Sequence, residues 1–404
     1  MGPFGLRRKN WSMRIAVIGA RLAGSYASLL LSKIGHEVLL FDDSTEREKP
    51  CGGGVTAKAL RAMRWFKENP LPHTEIKIVR MITNSGNRGE LFLRNPIHIF
   101  SRSVLDSKLR EAAIRAGACF TPERAVRLTA RGGGWVVSTR QNDYPVDYLV
   151  GADGATSSVR SNLAGKYAAA DLSLALGYYL PGEYHHNSIL ISFQECGFLG
   201  YIWSFPRTDH SSVGILQWLP NTNARELRRR VLQFIAHHYP SAENNMHFYA
   251  ARIPCLSRRT LLQQKVCGAN WALLGDAAGF TDPITAEGIH YALRSAELLA
   301  QAFSQENPAK FEELCRSDFG ADLLRAAGWR DRFYAGTLLF QAFTRRAVQI
   351  THGSKTAQLL TDLTISGYYT YERLRRQLIL NMPRILTEAL CSWFARSRQP
   401  VPSV

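Results

Sequence analysis

Apolar residues fill positions 15–18 without a break, a run that predicts a strand buried on both faces of a parallel sheet. From Leu22 to Lys33 small and apolar residues recur at helical spacing. Gly35 ends that helix, and positions 38–41 are a second apolar run closing on Asp42. Together these make a strand–helix–strand unit. Two later runs, 148–151 and 271–274, also read as buried strands, each leading into a turn of small residues. Between them, strand-like stretches at 172–180, 189–194, 201–205 and 213–219 follow one another through short turns, the pattern of an antiparallel sheet. Positions 225–238 read as a helix on that sheet. From about Ala321 the pattern turns helical, and Leu374, Leu378, Met382, Leu386, Leu390 and Trp393 share a helical stripe. Pro383 is expected to kink or divide this last helix.

Length and charge narrow the picture. A chain of 404 residues exceeds one hydrophobic core, and 46% hydrophobic with 21% charged residues is globular composition. Fifty Lys and Arg against 33 Asp and Glu leave a net charge of +17, which attracts anions: nucleic acid, acidic lipid headgroups or phosphorylated small molecules. No nucleic-acid motif accompanies the charge, so nucleic acid is set aside; a basic surface with no specific partner is the plainer reading. Seven scattered cysteines without a C-x-x-C pair suit a reducing cytoplasm and argue against disulfides or zinc. The histidine pairs at 185–186 and 237–238 lack carboxylate or cysteine partners at ligand spacing, so no metal is assigned. No apolar run reaches the ~18 residues of a membrane span. Residues 1–12 read as a basic extension without the apolar segment of a secretory signal.

The turn after the first strand reads Gly19-Ala20-Arg21-Leu22-Ala23-Gly24. It is the G-x-G-x-x-G dinucleotide fingerprint with Arg21 at the middle glycine. Gly19 makes the tight turn, Gly24 lets the helix pack close, and the amides at the helix start are placed to hold phosphates. Either the Arg21 guanidinium adds charge to that site, or the site is degenerate and binds nothing. Asp42 stands where a carboxylate accepts hydrogen bonds from ribose hydroxyls. Asp153-Gly154 and Gly275-Asp276 follow the later strands, and Gly288-Ile289 opens a helix through Ala300. A helix start aimed at a ring oxygen stabilises negative charge there, which suits a reduced flavin, with Asp276 on a sugar hydroxyl.

The three motifs in this order resemble those of the FAD-dependent flavoprotein monooxygenase and reductase superfamily with the aromatic-hydroxylase fold. The resemblance covers positions 13 to about 300. It implies bound FAD and a flavin-side role for Arg102, which otherwise reads as a surface residue of a helix's first turn. Within the superfamily, Pro50-Cys51-Gly52-Gly53-Gly54, followed by a helix reaching Ala59 and Leu60, is similar to the geranylgeranyl reductase family. Gly52 and Gly53 would let backbone lie flat on the flavin. Cys51 would either relay a proton or fill space beside it.

In the stretch "YIWSFP", alternation puts Tyr201, Trp203 and Phe205 on one face and Ile202 and Ser204 on the other. With Pro206, and Gly214 on the next strand, it resembles the same family's aromatic motif, although Leu216 stands where a second glycine is usual. The functional reading is an aromatic wall for a long apolar substrate; the plain one is sheet core.

The expectation is therefore an α/β chain: a Rossmann-like FAD-binding domain (13–70, 98–165, 255–320), an inserted antiparallel β-sheet substrate domain (71–97, 166–254) and a C-terminal helical region (321–404). The implied activity is reduction of polyprenyl C=C bonds, with electrons from NAD(P)H or a ferredoxin-like protein. A flavin monooxygenase or halogenase acting on an aromatic or polyketide, and a non-catalytic FAD or lipid-binding protein, are the alternatives. The basic amphipathic C-terminal helix either packs on its own protein or makes peripheral contact with a membrane.

Overall fold

The computed structural model describes residues 11–43, 48–84, 86–182, 187–194, 198–242, 245–334 and 343–397. The histidines at 185–186 lie outside the described residues, as does the side chain of Trp393.

The early apolar runs become a five-stranded parallel sheet. Its order is Trp271–Leu273, Tyr148–Gly151, Arg14–Ile18, Glu37–Phe41, Cys119–Thr121. Being covered on both faces is what allows its strands to be apolar throughout. The helices Leu22–Lys33, Arg102–Arg115 and Ile289–Ser304 belong to this layer and share one core with it, containing Ile15, Val17, Leu40, Leu109, Val150, Leu273 and Leu299. Trp11 packs on His36 and Phe303.

The second sheet has eight strands, in the order His247–Pro254, Leu172–Pro181, His210–Trp218, Gly200–Pro206, Ser188–Phe193, Thr74–Thr83, Arg88–Ile99, Gly54–Val55. It is antiparallel except where Ser188–Phe193 runs parallel to Thr74–Thr83. That junction escapes a sequence reading because the two strands are distant in the chain and alternation carries no direction. Helix Ala224–His238 covers the face bearing Ile202 and Ile215, with Leu227, Val231 and Ile235 as its buried stripe. A separate three-stranded antiparallel sheet spans Arg127–Arg131, Gly134–Ser138 and Asp143–Val146.

The glycine run 52–54 carries the chain from the parallel sheet to the edge of the second one, where Gly54 and Val55 pair with Ile99 and His98. The last elements are helical: Ala321–Tyr334, Phe343–Gly353, Lys355–Ile365 and Tyr371–Ser397. The expected division at Pro383 is absent: Tyr371–Ser397 is one helix with the proline inside it. Tertiary packing holds it, with Ile385 buried against Ala357 and Leu360, and that packing outweighs a missing N–H.

Candidate active site

A cavity of about 2570 Å³ lies between the layers. Gly19, Arg21, Ala23, Asp42, Asp153, Gly154, Asp276, Gly288 and Ile289 line it from the parallel-sheet side. Cys51, Gly52, Gly53 and Arg102 also line it, with Tyr201, Trp203 and Phe205 on the second sheet. The cavity thus gathers most of the residues singled out from sequence. Ala20, Gly24, Pro206 and Gly214 are not among its lining residues.

At its first end Gly19 turns the chain with φ +104°, and a Cβ there would stand 2.5 Å from the Ala152 carbonyl oxygen. The Ala20 amide donates to Asp42 Oδ2 at 2.7 Å, fixing that carboxylate beside the turn. Arg21 is the N-cap of helix Leu22–Lys33 without capping it through its side chain. Its guanidinium instead reaches Asp106, 3.9 Å away. The first amides of this helix have no intrahelical partner, and Leu22 and Ala23 border the cavity.

Asp153 is committed locally. Its oxygens accept from the Ser157 and Ser158 hydroxyls at 2.5 and 2.9 Å and from the Ser158 amide at 2.6 Å. It organises the turn into helix Ser158–Leu163. Asp276 accepts from Lys49 Nζ at 2.9 Å. Burial pushes its carboxyl up, but Lys49, with Arg102 and Thr281, outweighs this and leaves it below the usual range.

The cysteine–glycine segment is held by a network that sequence reading missed. Glu48 accepts from the amides of Arg102 and Ser103 at 2.7 and 2.8 Å, capping helix Arg102–Arg115, and pairs with Arg207. Arg207 is fully buried and also donates to the Cys51 carbonyl at 2.6 Å, which Ser212 Oγ meets at 3.2 Å. Burial raises the Glu48 carboxyl, and Arg207 with the two helix amides brings it below its ordinary value.

Cys51 Sγ accepts from the Gly53 amide at 3.3 Å and interacts with the Arg102 guanidinium, which itself grips Asp106 through two hydrogen bonds of 2.9 and 3.0 Å. Arg102 is thus buried rather than a surface residue. Gly52 packs closely on Phe205: a Cβ there would stand 2.9 Å from Cδ2. Trp203 lies over Gly214 in the same way.

The loop between Asp276 and Gly288 closes the site. Tyr201 Oη donates to the Thr285 carbonyl at 2.5 Å, Tyr334 Oη to Ile284 at 2.5 Å, and Tyr371 Oη to Asp282 Oδ2 at 2.8 Å. Glu287 follows at the cavity wall. Burial, reinforced by Asp282, pushes its carboxyl up to about 7, against the hydrogen bond from the His290 amide. Beyond Trp203 the cavity continues past Ile189, Ile191, Val348 and Ile365 to Leu378, Met382 and Leu386 on the last helix.

Residues 12–179 match the family described as FAD binding domain. The residues present fit that cofactor: an open space runs beside the helix start, flanked by Asp42 and Asp276 and by the cations Arg21, Lys49 and Arg102. Among relatives, menaquinone reductase of Mycobacterium tuberculosis is 27% identical over 74% of this chain and 78% of its own length. Geranylgeranyl diphosphate reductase of Synechocystis sp. is 26% identical over 87% of this chain and 90% of its own. The chain is an FAD-dependent oxidoreductase similar to proteins named geranylgeranyl reductase.

The flavoprotein also shares its fold with the geranylgeranyl bacteriochlorophyll reductase-like protein of Thermoplasma acidophilum. That structure has a TM-score of 0.71 at 21% identity, covering 91% of this chain and 98% of the other. The flavin-dependent brominase Bmp2 has the same fold, with a TM-score of 0.63 at 17% identity over 93% of this chain and all of its own. Fold alone therefore does not separate reductase from halogenase chemistry.

Proposed function

We propose that this flavoprotein reduces isolated C=C bonds in a polyprenyl chain. The observation that supports it is the continuity of the cavity. One space passes from the FAD-binding turn, past Cys51 and the aromatic wall, into an apolar channel between the second sheet and the C-terminal helices. A channel of that form suits a long hydrocarbon, and the relatives named for prenylated substrates point the same way.

Reduced FAD, when bound, would supply the hydride, with NAD(P)H or a ferredoxin-like protein as the electron donor. The chain's residues do the rest. Gly19, the start of helix Leu22–Lys33, Asp42 and Asp276 hold the cofactor. Tyr201, Trp203 and Phe205 pack against the alkene and keep water from it. An isolated alkene is a poor hydride acceptor, so a proton must be given to the other carbon. Ring faces stabilise the positive charge that develops there. Cys51 is the proposed donor: the thiolate it leaves faces the Arg102 guanidinium and the Gly53 amide. That electropositive setting is what a reactive thiol requires.

The test is an anaerobic single turnover. Chemically reduced protein is mixed with a geranylgeranyl lipid, and the product is weighed by mass spectrometry. A gain of two hydrogens per bond, without oxygen, is the expected result. A product formed only with oxygen, and carrying oxygen or halogen, would overturn the proposal in favour of a monooxygenase or halogenase.

A further inference from the structure

The C-terminal helix Tyr371–Ser397 buries Ile385 but leaves a second apolar face uncovered. Ile379, Leu380, Met382, Leu386 and Leu390 are 59%, 71%, 44%, 47% and 56% exposed. Ile379, Met382, Leu386 and Leu390 lie within one ~80° sector of the helix, and Leu380 lies on the adjoining flank, ~80° beyond it. Exposed apolar residues gathered this way mark an interaction surface.

Charge says what kind. Arg373, Arg375 and Arg376 are exposed one turn before the stripe, whereas Arg384 lies on the far side of the helix from it. The helix carries acids at Glu372 and Glu388, and both are engaged, by Arg325 and Arg384 respectively. The surface presented is thus apolar with an unbalanced cationic end, on a chain of net charge +17. Such a helix lies in the plane of an anionic bilayer, apolar side down and arginines among the headgroups. No described helix is long and apolar enough to cross a membrane, so the contact is peripheral.

The stripe also meets the cavity. Met382, Leu386 and Leu390 line the space that runs back to Trp203. We infer that this helix docks on an anionic lipid surface and sets the cavity mouth in it, so that an apolar substrate enters from the bilayer without crossing water. Docking itself does not depend on which reaction the site performs.

The experiment is flotation of the FAD-loaded protein with phosphatidylcholine vesicles, with and without phosphatidylglycerol. Binding should need the anionic lipid and weaken with salt. R375Q/R376Q should bind about 30-fold more weakly, the loss of two charges each worth about 1 kcal/mol near such a surface. I379S/L380S, changing the two most exposed apolar side chains of the helix, should abolish flotation while the flavin spectrum stays unchanged. Wild-type protein that ignores anionic vesicles would overturn the inference, as would variants that float like wild type. A vesicle-free dimer lost in I379S/L380S would also overturn it, assigning the stripe to a second copy of the chain.

Discussion

Replacing Arg207 with Met tests how the cysteine–glycine segment is held. The substitution keeps much of the side-chain volume but removes the cation paired with Glu48 and the donor to the Cys51 carbonyl. Breaking a buried pair by removing one partner typically costs about 3–5 kcal/mol, because the other charge is left uncompensated. Here the Arg102 and Ser103 amides still bind Glu48, and Ser212 Oγ still reaches the Cys51 carbonyl. The expected loss therefore falls at the low end, about 3 kcal/mol.

Urea unfolding of the FAD-free protein measures this as a shift in midpoint at unchanged slope. Glu48→Gln combined with Arg207→Met should recover part of the loss, since no charge is then stranded. The Glu48 carboxyl lies below its ordinary 4.5 in the folded protein. Its contribution is thus present above that value and lost as pH falls further. The stability gap between wild type and Arg207→Met should accordingly narrow on acidification. A loss under about 1 kcal/mol, with the two substitutions additive, would refute the idea that this pair anchors the segment.

Asp276→Ala should weaken FAD binding by about 1–3 kcal/mol, the cost of an unsatisfied buried polar partner; equal affinity by fluorescence titration would show that Asp276 serves only Lys49. Cys51→Ser should leave FAD bound but cut product formation by ~100-fold or more if the thiol gives the proton; near-normal single-turnover rates would reduce Cys51 to a filler. Trp203→Ala should weaken prenyl-lipid binding by a few kcal/mol, as loss of a large buried aromatic does, with the flavin spectrum intact. Unchanged lipid affinity would remove the aromatic wall from the account. Glu287, raised to about 7 in the fold, contributes stability that is present at low pH and lost as pH rises through that value. Glu287→Gln should flatten this part of the stability–pH curve, and an identical slope in both proteins would contradict the burial of its charge.

Sequence carried far where chemistry is local. Period-two alternation alone placed Tyr201, Trp203 and Phe205 on one face, and the structure has them together on the cavity. The turn at Gly19 and the helix Leu22–Lys33 were legible because turn, helix start and strand are contiguous. What escaped is non-local. Glu48 and Arg207 stand 159 positions apart, and neither belongs to a periodic pattern. Lys49 is visible only once Asp276 is placed beside it. Glu287 looks like an ordinary surface acid until burial and Asp282 act on it. Gly52 was expected to lie against the flavin, and the fold also packs it on Phe205, which no spacing rule pairs with it. Pro383 shows the converse: the helix Tyr371–Ser397 continues through it instead of dividing, with Ile385 packed beside Ala357 and Leu360.

The most direct test of the central claim is the anaerobic reoxidation of the reduced flavoprotein, followed by flavin absorbance as a geranylgeranyl lipid is added. The account predicts reoxidation whose rate rises with lipid concentration, needs no oxygen, and does not occur with the fully saturated analogue. A reduced flavin that persists beside the unsaturated lipid, yet is consumed with oxygen and an aromatic substrate to give a hydroxylated or halogenated product, would contradict it.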